Sequence, residues 1–267
     1  MGGVLALRYG LDPLLRRTYQ HWRPRVEQLV GRAMGHPLQL GEYRGIGLQG
    51  LKIGPSRFQA GPEDRSTLSA RELLVRPDPL ASWRLRGLVL DLVVRDPVVD
   101  LRRNARGRLW VLGRLKPGGE PPRLDLRIRV PDPGQLRLWN VTPQGTPLAF
   151  LVKGEARLRL HERSLRFRAG VSAPAQVGEA LLVGEGNWQR NHWRADLATR
   201  RFAAAPFEPL LPVKGSLRGQ AEGQVSLRLD RGRPSCEGAL TVRQASWRPP
   251  ALERPLTSEH QIGRAHV

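Results

Sequence analysis

Strict alternation of apolar and charged residues is the feature that most constrains this chain. Between Leu124 and Val130, four apolar residues alternate with Asp125, Arg127 and Arg129 without interruption. A period of two places each set on its own face of a β-strand. Burying the four apolar side chains would contribute at most roughly 6–12 kcal/mol, at about 1.5–3 kcal/mol each. We therefore expect a second sheet layer, a helix or a ligand to cover that face.

The same pattern recurs between Arg84 and Leu112. Its first strand carries four apolar residues on one face: Leu88, Leu90, Leu92 and Val94. A break is predicted at Asp96–Pro97, and Val99 and Leu101 then alternate with charged residues in a second strand. Turn residues at 104–107 lead into a third predicted strand at Leu109–Leu112. The stretch predicts a sheet with one apolar and one charged face.

Short strands joined by turns at near-regular spacing run through the rest of the chain, which indicates a mainly β architecture. We assign residues 11–36 to a helix and residues 37–261 to the sheet region. Within that region, the sequence predicts a loop at 54–66, a turn at 77–82, and hairpin turns at His161–Ser164 and Gln189–His192. Val-Lys-Gly at Val152 and again at Val213 marks a weak repeat, 152–212 and 213–261.

Both terminal segments are treated separately. Residues 1–10 are largely apolar but too short for a signal peptide, so they are either an ordinary terminus or a remnant of a membrane anchor. Residues 262–267 read IGRAHV, which resembles the translation of a sequencing-adapter sequence. We expect this segment to be a non-native tail on a fragment of a longer protein.

The strongest helix prediction covers Leu11 to Met34. Asp12 is expected to cap it, Pro13 suits its first turn, and Pro24 should kink it. Its apolar stripe follows three- and four-residue spacing. The stripe residues that we assign to a membrane-proximal helix are Leu15, Tyr19, Trp22, Val26 and Leu29. The stripe fits packing on a sheet, contact with a membrane surface, or closure of the end of a groove.

The chain is strongly basic, with a formal net charge of +20 over 267 residues. A GC-rich genome, which favours arginine codons, would explain this charge. A surface that contacts anionic lipid headgroups or nucleic acid would explain it as well. Nucleic-acid binding is the less favoured of these, because arginines alternate with leucine and valine along the strands and aromatic residues make up only 6%. We expect no nucleic-acid partner.

No enzyme constellation is present in the sequence. The single cysteine, Cys236, excludes an intrachain disulfide, and the six histidines show no metal-ligand spacing. No GxSxG elbow or phosphate-binding loop accompanies the scattered Ser, His and Asp residues. We predict no catalytic residue, no metal and no cofactor.

The apolar strand positions are therefore the candidate site, because a ligand is one of the covers that such a face can take. The predicted lining residues are Leu88, Leu90, Leu92, Val94, Val99, Leu101, Leu124, Leu126, Ile128, Val130, Leu136, Leu138, Leu158, Leu160, Val225, Leu227 and Leu229. Two alternatives remain open: a scaffolding β-protein that binds partner chains by edge-strand addition, and a basic nucleic-acid-binding module.

Three segments together resemble the AsmA-like superfamily, and within it the TamB-type translocation and assembly proteins of diderm bacteria, especially their cyanobacterial and plastid relatives. The first is a helix running into a Gly- and Pro-marked strand, residues 29–54. The second is Pro97, Val99, Leu101, Gly107, Leu109 and Leu112, with Trp110 beside the turn. The third is the glycine-spaced segment 215–247.

The resemblance covers residues from about 30 to 250 and implies the N-terminal part of such a protein. It implies an elongated, twisted and curved antiparallel sheet shaped like a taco, preceded by the amphipathic helix. It also implies a periplasmic protein that is anchored in the inner membrane in its full-length form. Its apolar groove would hold phospholipid acyl chains without headgroup specificity, carry lipid between the inner and outer membranes, and support outer-membrane assembly or protein translocation. An outer-membrane assembly protein of the Omp-85 type is the partner that the resemblance suggests.

Overall fold

A computed structural model describes residues 2–47, 50–61, 64–104, 123–141, 145–174, 178–205, 216–231, 233–248 and 256–266. It confirms a mainly β fold with an N-terminal helix. The helices are α1 (Gly2–Met34) and α2 (Pro79–Leu85). The strands are β1 (Leu38–Gln39), β2 (Tyr43–Gly47), β3 (Gly50–Ile53), β4 (Ser56–Phe58), β5 (Thr67–Ala70), β6 (Glu72–Pro77), β7 (Leu88–Arg95), β8 (Val98–Arg102), β9 (Leu124–Trp139), β10 (Leu148–Arg159), β11 (Ser164–Ser172), β12 (Glu179–Asn187), β13 (His192–Ala203), β14 (Ser216–Asp230), β15 (Arg233–Arg248) and β16 (Leu256–His266).

The strands form one hydrogen-bonded sheet. Among the described residues its first and last strands do not pair with each other, so the sheet is open. The chain divides into two compact units, Met1–Gly134 and Gln135–Val267. The strand pairs with a defined register are antiparallel, except that β7 runs parallel to β9. The third strand predicted at Leu109–Leu112 lies outside the described residues.

Unit 1 contains two rows of hydrogen-bonded strands, which we call lanes. One lane has the order β2-β3-β6-β7 and the other has the order β1-β4-β5-β8. The chain changes lane at residues 40–42, between β1 and β2, and again at breaks at Gly54–Pro55, Arg71 and Asp96–Pro97. Asp96 adopts φ +46°, and proline has no N–H to continue a strand ladder. The predicted break at Asp96–Pro97 is confirmed, whereas the predicted loop at 54–66 contains strand β4.

Helix α1 is longer than the sequence predicts. It begins at Gly2 and includes both Pro13 and Pro24, so Asp12 lies inside the helix and does not cap it. The Asp12 carboxylate accepts a hydrogen bond of 2.6 Å from the Tyr43 hydroxyl. The side chain that looked like a cap thus joins the helix to strand β2.

Helix α2 was not predicted, because Pro77-Asp78-Pro79 reads as turn chemistry. Asp78 is its N-cap, and its carboxylate accepts from the Ala81 N–H at 2.9 Å. Arg86 ends the helix in the left-handed conformation, with φ 47°. A capped proline start followed by four helix-compatible residues is sufficient for a short helix when a sheet lies beneath it.

Unit 2 is an antiparallel meander from β10 to β16. The predicted hairpin turn at His161–Ser164 and the one between β12 and β13 are confirmed. Its buried core is a small cluster built from Leu148, Phe150, Ala173, Ala180 and Phe202. Strand β16 continues through 262–266, which belong to the predicted non-native tail.

Candidate functional site

The predicted lining residues of unit 1 stand side by side on β7 and β9. The parallel register pairs Leu88 with Leu124. It continues with Leu90 beside Leu126 and Leu92 beside Ile128. These six residues form an apolar face, and Leu88 at its end is 50% exposed.

The charged residues of the same strands lie on the opposite, covered face. Val89 is 0% exposed beneath helix α2, and Asp91 and Asp125 are 9% and 2% exposed. Arg76 pairs with Asp91 at 2.9 Å, and Arg127 reaches Asp78 of the helix cap at 3.2 Å. Burial of a carboxylate such as Asp91 needs a partner of this kind, because an unpaired buried charge is strongly destabilising. Helix α2 therefore covers the Val89 end of this face, whereas Leu88 on the other face stays exposed.

The remaining predicted lining residues of unit 1 are spread more widely. Val94 is buried, and Val130 and Leu101 are half-buried. Val99 pairs with Leu68, which pairs in turn with Phe58, so the β8 lane carries its own apolar row.

Unit 2 presents a wider apolar face built by strand register. One row across β11 to β15 reads Phe167, Gly184, Ala195, Leu227 and Cys236. The next row across β10 to β14 reads Leu158, Leu165, Gly186, Trp193 and Leu229. The intervening residues carry most of the charge, including Arg166, Arg168, Glu185, Arg194 and Arg228. Strand alternation thus keeps most of the charge off this face.

Two glycines let aromatic rings lie flat on this face. A Cβ at Gly184 would come within 2.7 Å of Cε1 of Phe167. A Cβ at Gly186 would come within 2.6 Å of Cζ3 of Trp193 and overlap the rest of the indole ring. Each ring covers the backbone of the glycine directly across the strand pair, an arrangement that stabilises a glycine in a sheet.

A pocket of about 340 Å³ opens on the apolar face of unit 2. Its floor and walls come from Phe167, Trp193, Ala195, Leu227, Leu229 and Cys236, with neighbouring strand residues. Leu227 is 45% exposed, so this pocket has apolar side chains open to solvent. The volume falls in the range of about 300–1,000 Å³ that is typical of small-molecule sites.

The sequence predicted Leu227 and Leu229 but not the aromatic floor. A signal for it exists, since Gly184 and Gly186 repeat at period two in the strand that precedes Trp193. Of the other predicted residues, Val225 lies beside Leu197 on the same face. Leu136 and Leu138 pack against the buried core, and Leu160 lies in the turn after β10.

Helix α1 binds the backbone of the sheet edge formed by β1 and β2. The Tyr19 hydroxyl donates to the Gly41 carbonyl at 2.6 Å, and the Glu27 carboxylate accepts from the Leu40 N–H at 2.7 Å. Burial raises the pKa of Tyr19 to about 12. Burial, together with the hydrogen bond to Asp12, raises the pKa of Tyr43 to about 12. The two hydrogen bonds fasten the helix to the segment that connects β1 to β2.

The apolar stripe predicted on helix α1 is therefore buried in one part and exposed in another. Tyr19 is buried against the sheet and Leu15 is half-buried. Trp22, Val26 and Leu29 are 53%, 38% and 49% exposed, and the Arg25 guanidinium lies 5.4 Å from the Trp22 ring centre. The helix packs on the sheet edge and still presents apolar side chains outward.

The described part of the chain contains no group of three or more His, Cys, Asp or Glu residues arranged to hold a metal ion. None of the described helices is long and apolar enough to span a bilayer. No protein family, no curated protein and no solved structure matches this chain.

Proposed function

We propose that this chain is a non-enzymatic lipid-binding protein whose apolar sheet faces hold acyl chains. The observation that carries the proposal is the apolar face of unit 2, which spans β10 to β15 and has an open pocket floored by Phe167 and Trp193. A compact domain would bury such a face, whereas here Leu227 stays 45% exposed. A large exposed apolar surface marks a binding site in most proteins.

The energetics suit an acyl chain. Each buried methylene contributes about 0.8 kcal/mol, so six to eight methylenes on this face would contribute roughly 5–6 kcal/mol. That energy alone corresponds to a dissociation constant on the order of 0.1 mM, before contacts of the remaining chain. Because the pocket side chains on this face are apolar, the binding would not select among headgroups.

The wider role in this proposal follows from the sequence resemblance. A periplasmic chain, anchored in the inner membrane in its full-length form, would carry lipid between the inner and outer membranes and support outer-membrane assembly. What supports this is the TamB-like order of motifs together with an open sheet that leaves apolar side chains exposed in each unit, at Leu88 and at Leu227.

The test is photo-crosslinking of the chain to a phospholipid that carries a diazirine in its acyl chain. Leu227→Glu should reduce crosslinking at least about tenfold, because a carboxylate in the apolar pocket would have to be desolvated. Val183→Glu is the matched control, since Val183 is 41% exposed and lies on the opposite face of the same sheet.

Leu90→Glu combined with Leu126→Glu examines the face of unit 1 in the same assay. Circular dichroism checks that every variant keeps its strand content. Equal crosslinking of the Leu227 and Val183 variants would refute binding at the pocket. Crosslinking that survives all of the substitutions would refute the proposed function.

A further inference from the structure

Helix α2 carries a compact set of large apolar side chains that point into solvent. Leu80 is 58% exposed and Trp83 is 78% exposed, and their spacing of three residues makes them neighbours on one helix face. Leu85, at the end of the same helix, is 45% exposed. We call Leu80, Trp83 and Leu85 the α2 patch. None of the patch residues belongs to the charged face of the sheet or to the contact between α1 and the sheet.

The α2 patch is held rigidly in place. Asp78 caps the helix, and the Ser82 hydroxyl accepts from the Val89 N–H at 2.9 Å. The Gly87 N–H donates to the Ser82 carbonyl at 3.1 Å, which closes the turn between the helix and β7. Val89 is fully buried beneath. Trp83 therefore projects from a fixed platform, and its exposure does not result from a loose loop.

The charge around the α2 patch is positive. Arg84 and Arg86 alternate with Trp83 and Leu85 along the sequence, are exposed, and form no ion pair with any described residue. The nearest acid in sequence, Asp78, is engaged by the Ala81 N–H and by Arg127. The Ala81 N–H, ahead of Arg127, lowers the pKa of this carboxyl, so it stays ionised in its own contacts. A partner for this surface must be apolar and anionic together.

The size of the α2 patch separates two classes of partner. Taking about 200 Å² for a large apolar side chain, the exposed fractions correspond to roughly 360 Å². A stable protein–protein interface buries about 800 Å² on each side, so the patch is small for a protein partner. Trp and Leu beside Arg are the composition of segments that lie in the interfacial region of a bilayer.

We propose that the α2 patch docks on an anionic lipid bilayer. Trp83 and Leu80 would enter the boundary between headgroups and acyl chains, while Arg84 and Arg86 would contact headgroup phosphates. Leu88, two residues after the Arg86 cap, begins the first row of the apolar face of unit 1, beside Leu124. Docking of α2 would therefore bring this end of β7 close to the bilayer, a consequence that rests on the proposed function.

Vesicle flotation tests the docking with the full chain and two vesicle types, phosphatidylcholine alone and phosphatidylcholine with phosphatidylglycerol. Trp83→Glu should reduce the floated fraction on the anionic vesicles at least about fivefold. The double variant Arg84→Glu/Arg86→Glu should reduce flotation only where phosphatidylglycerol is present. Val183→Glu is the control for an added carboxylate, and Trp22→Glu measures the separate contribution of the α1 stripe.

Flotation of Trp83→Glu equal to that of Val183→Glu would overturn the proposal, as would wild-type binding that does not depend on phosphatidylglycerol. Loss of binding only in Trp22→Glu would assign the membrane contact to α1 and would also overturn it. Acyl-chain crosslinking in detergent, without vesicles, keeps the two proposals apart. Trp83→Glu should lose flotation but crosslink normally. A wild-type chain that crosslinks but does not float on the anionic vesicles rejects docking alone, and a wild-type chain that floats but does not crosslink rejects the lipid-binding function alone.

Discussion

Gly186 is the position where one added methyl group should reveal how the apolar face of unit 2 is built. An alanine Cβ there would overlap the Trp193 indole, so the ring would have to lift off the strand. Lifting it uncovers on the order of 100 Å² of apolar surface, which costs about 2.5 kcal/mol at about 25 cal/mol per Å². Replacing glycine by alanine returns about 0.5–1 kcal/mol through the unfolded state. We expect Gly186→Ala to lose about 1.5–2 kcal/mol of unfolding free energy.

Urea unfolding followed by tryptophan fluorescence measures that loss, and acyl-chain crosslinking measures the pocket. Because the displaced ring forms part of the pocket floor, crosslinking should fall together with stability. Gly170→Ala is the matched control on the charged face, where the new Cβ would lie 3.4 Å from Cε of Lys153, an ordinary contact. It should leave both readouts unchanged or slightly raise stability. If the two alanine variants have the same stability and crosslink equally, the ring does not lie on Gly186 and the reasoning is refuted.

Two further outcomes test the helix edge and the core. The pKa values of Tyr19 and Tyr43 are raised to about 12, so the folded state favours the neutral phenols; stability should be complete below about pH 10 and fall as the pH rises through about 12. Circular dichroism against pH checks this, and Tyr43→Phe should make the alkaline loss shallower; a variant curve identical to wild type would contradict it. Phe150→Ala should lose about 3–5 kcal/mol in urea unfolding, since Phe150 is 8% exposed within the core of unit 2, whereas Leu227→Ala should lose less than about 1 kcal/mol. Equal losses would contradict the division between core and open face.

The strand pattern of the fold was readable from the sequence wherever alternation was regular. The break at Asp96–Pro97, the turns after β10 and β12 and the apolar set on β7 were all predicted, because period-two patterning and turn chemistry are local properties. Helix α2 was missed for the same reason: a proline pair reads locally as a turn, and only the strand beneath it makes one short helix stable. The start of α1 was missed because Asp12 looks like a cap in sequence and acts as an acceptor for Tyr43 in the fold.

Alternation by itself determined that the strands of this chain have an apolar face and a charged face, because successive side chains on a strand point to opposite faces. It did not determine which side would be covered. Packing decided that Val89 lies beneath helix α2 and that Asp91 is buried with arginine partners, while Leu88 and Leu227 stay exposed, because the position of a helix depends on contacts distant in sequence. Register across strands likewise decided that Gly186 lies beneath Trp193, whose ring lines the pocket. Such a pairing depends on which strands become neighbours, and the pattern within one strand does not specify it.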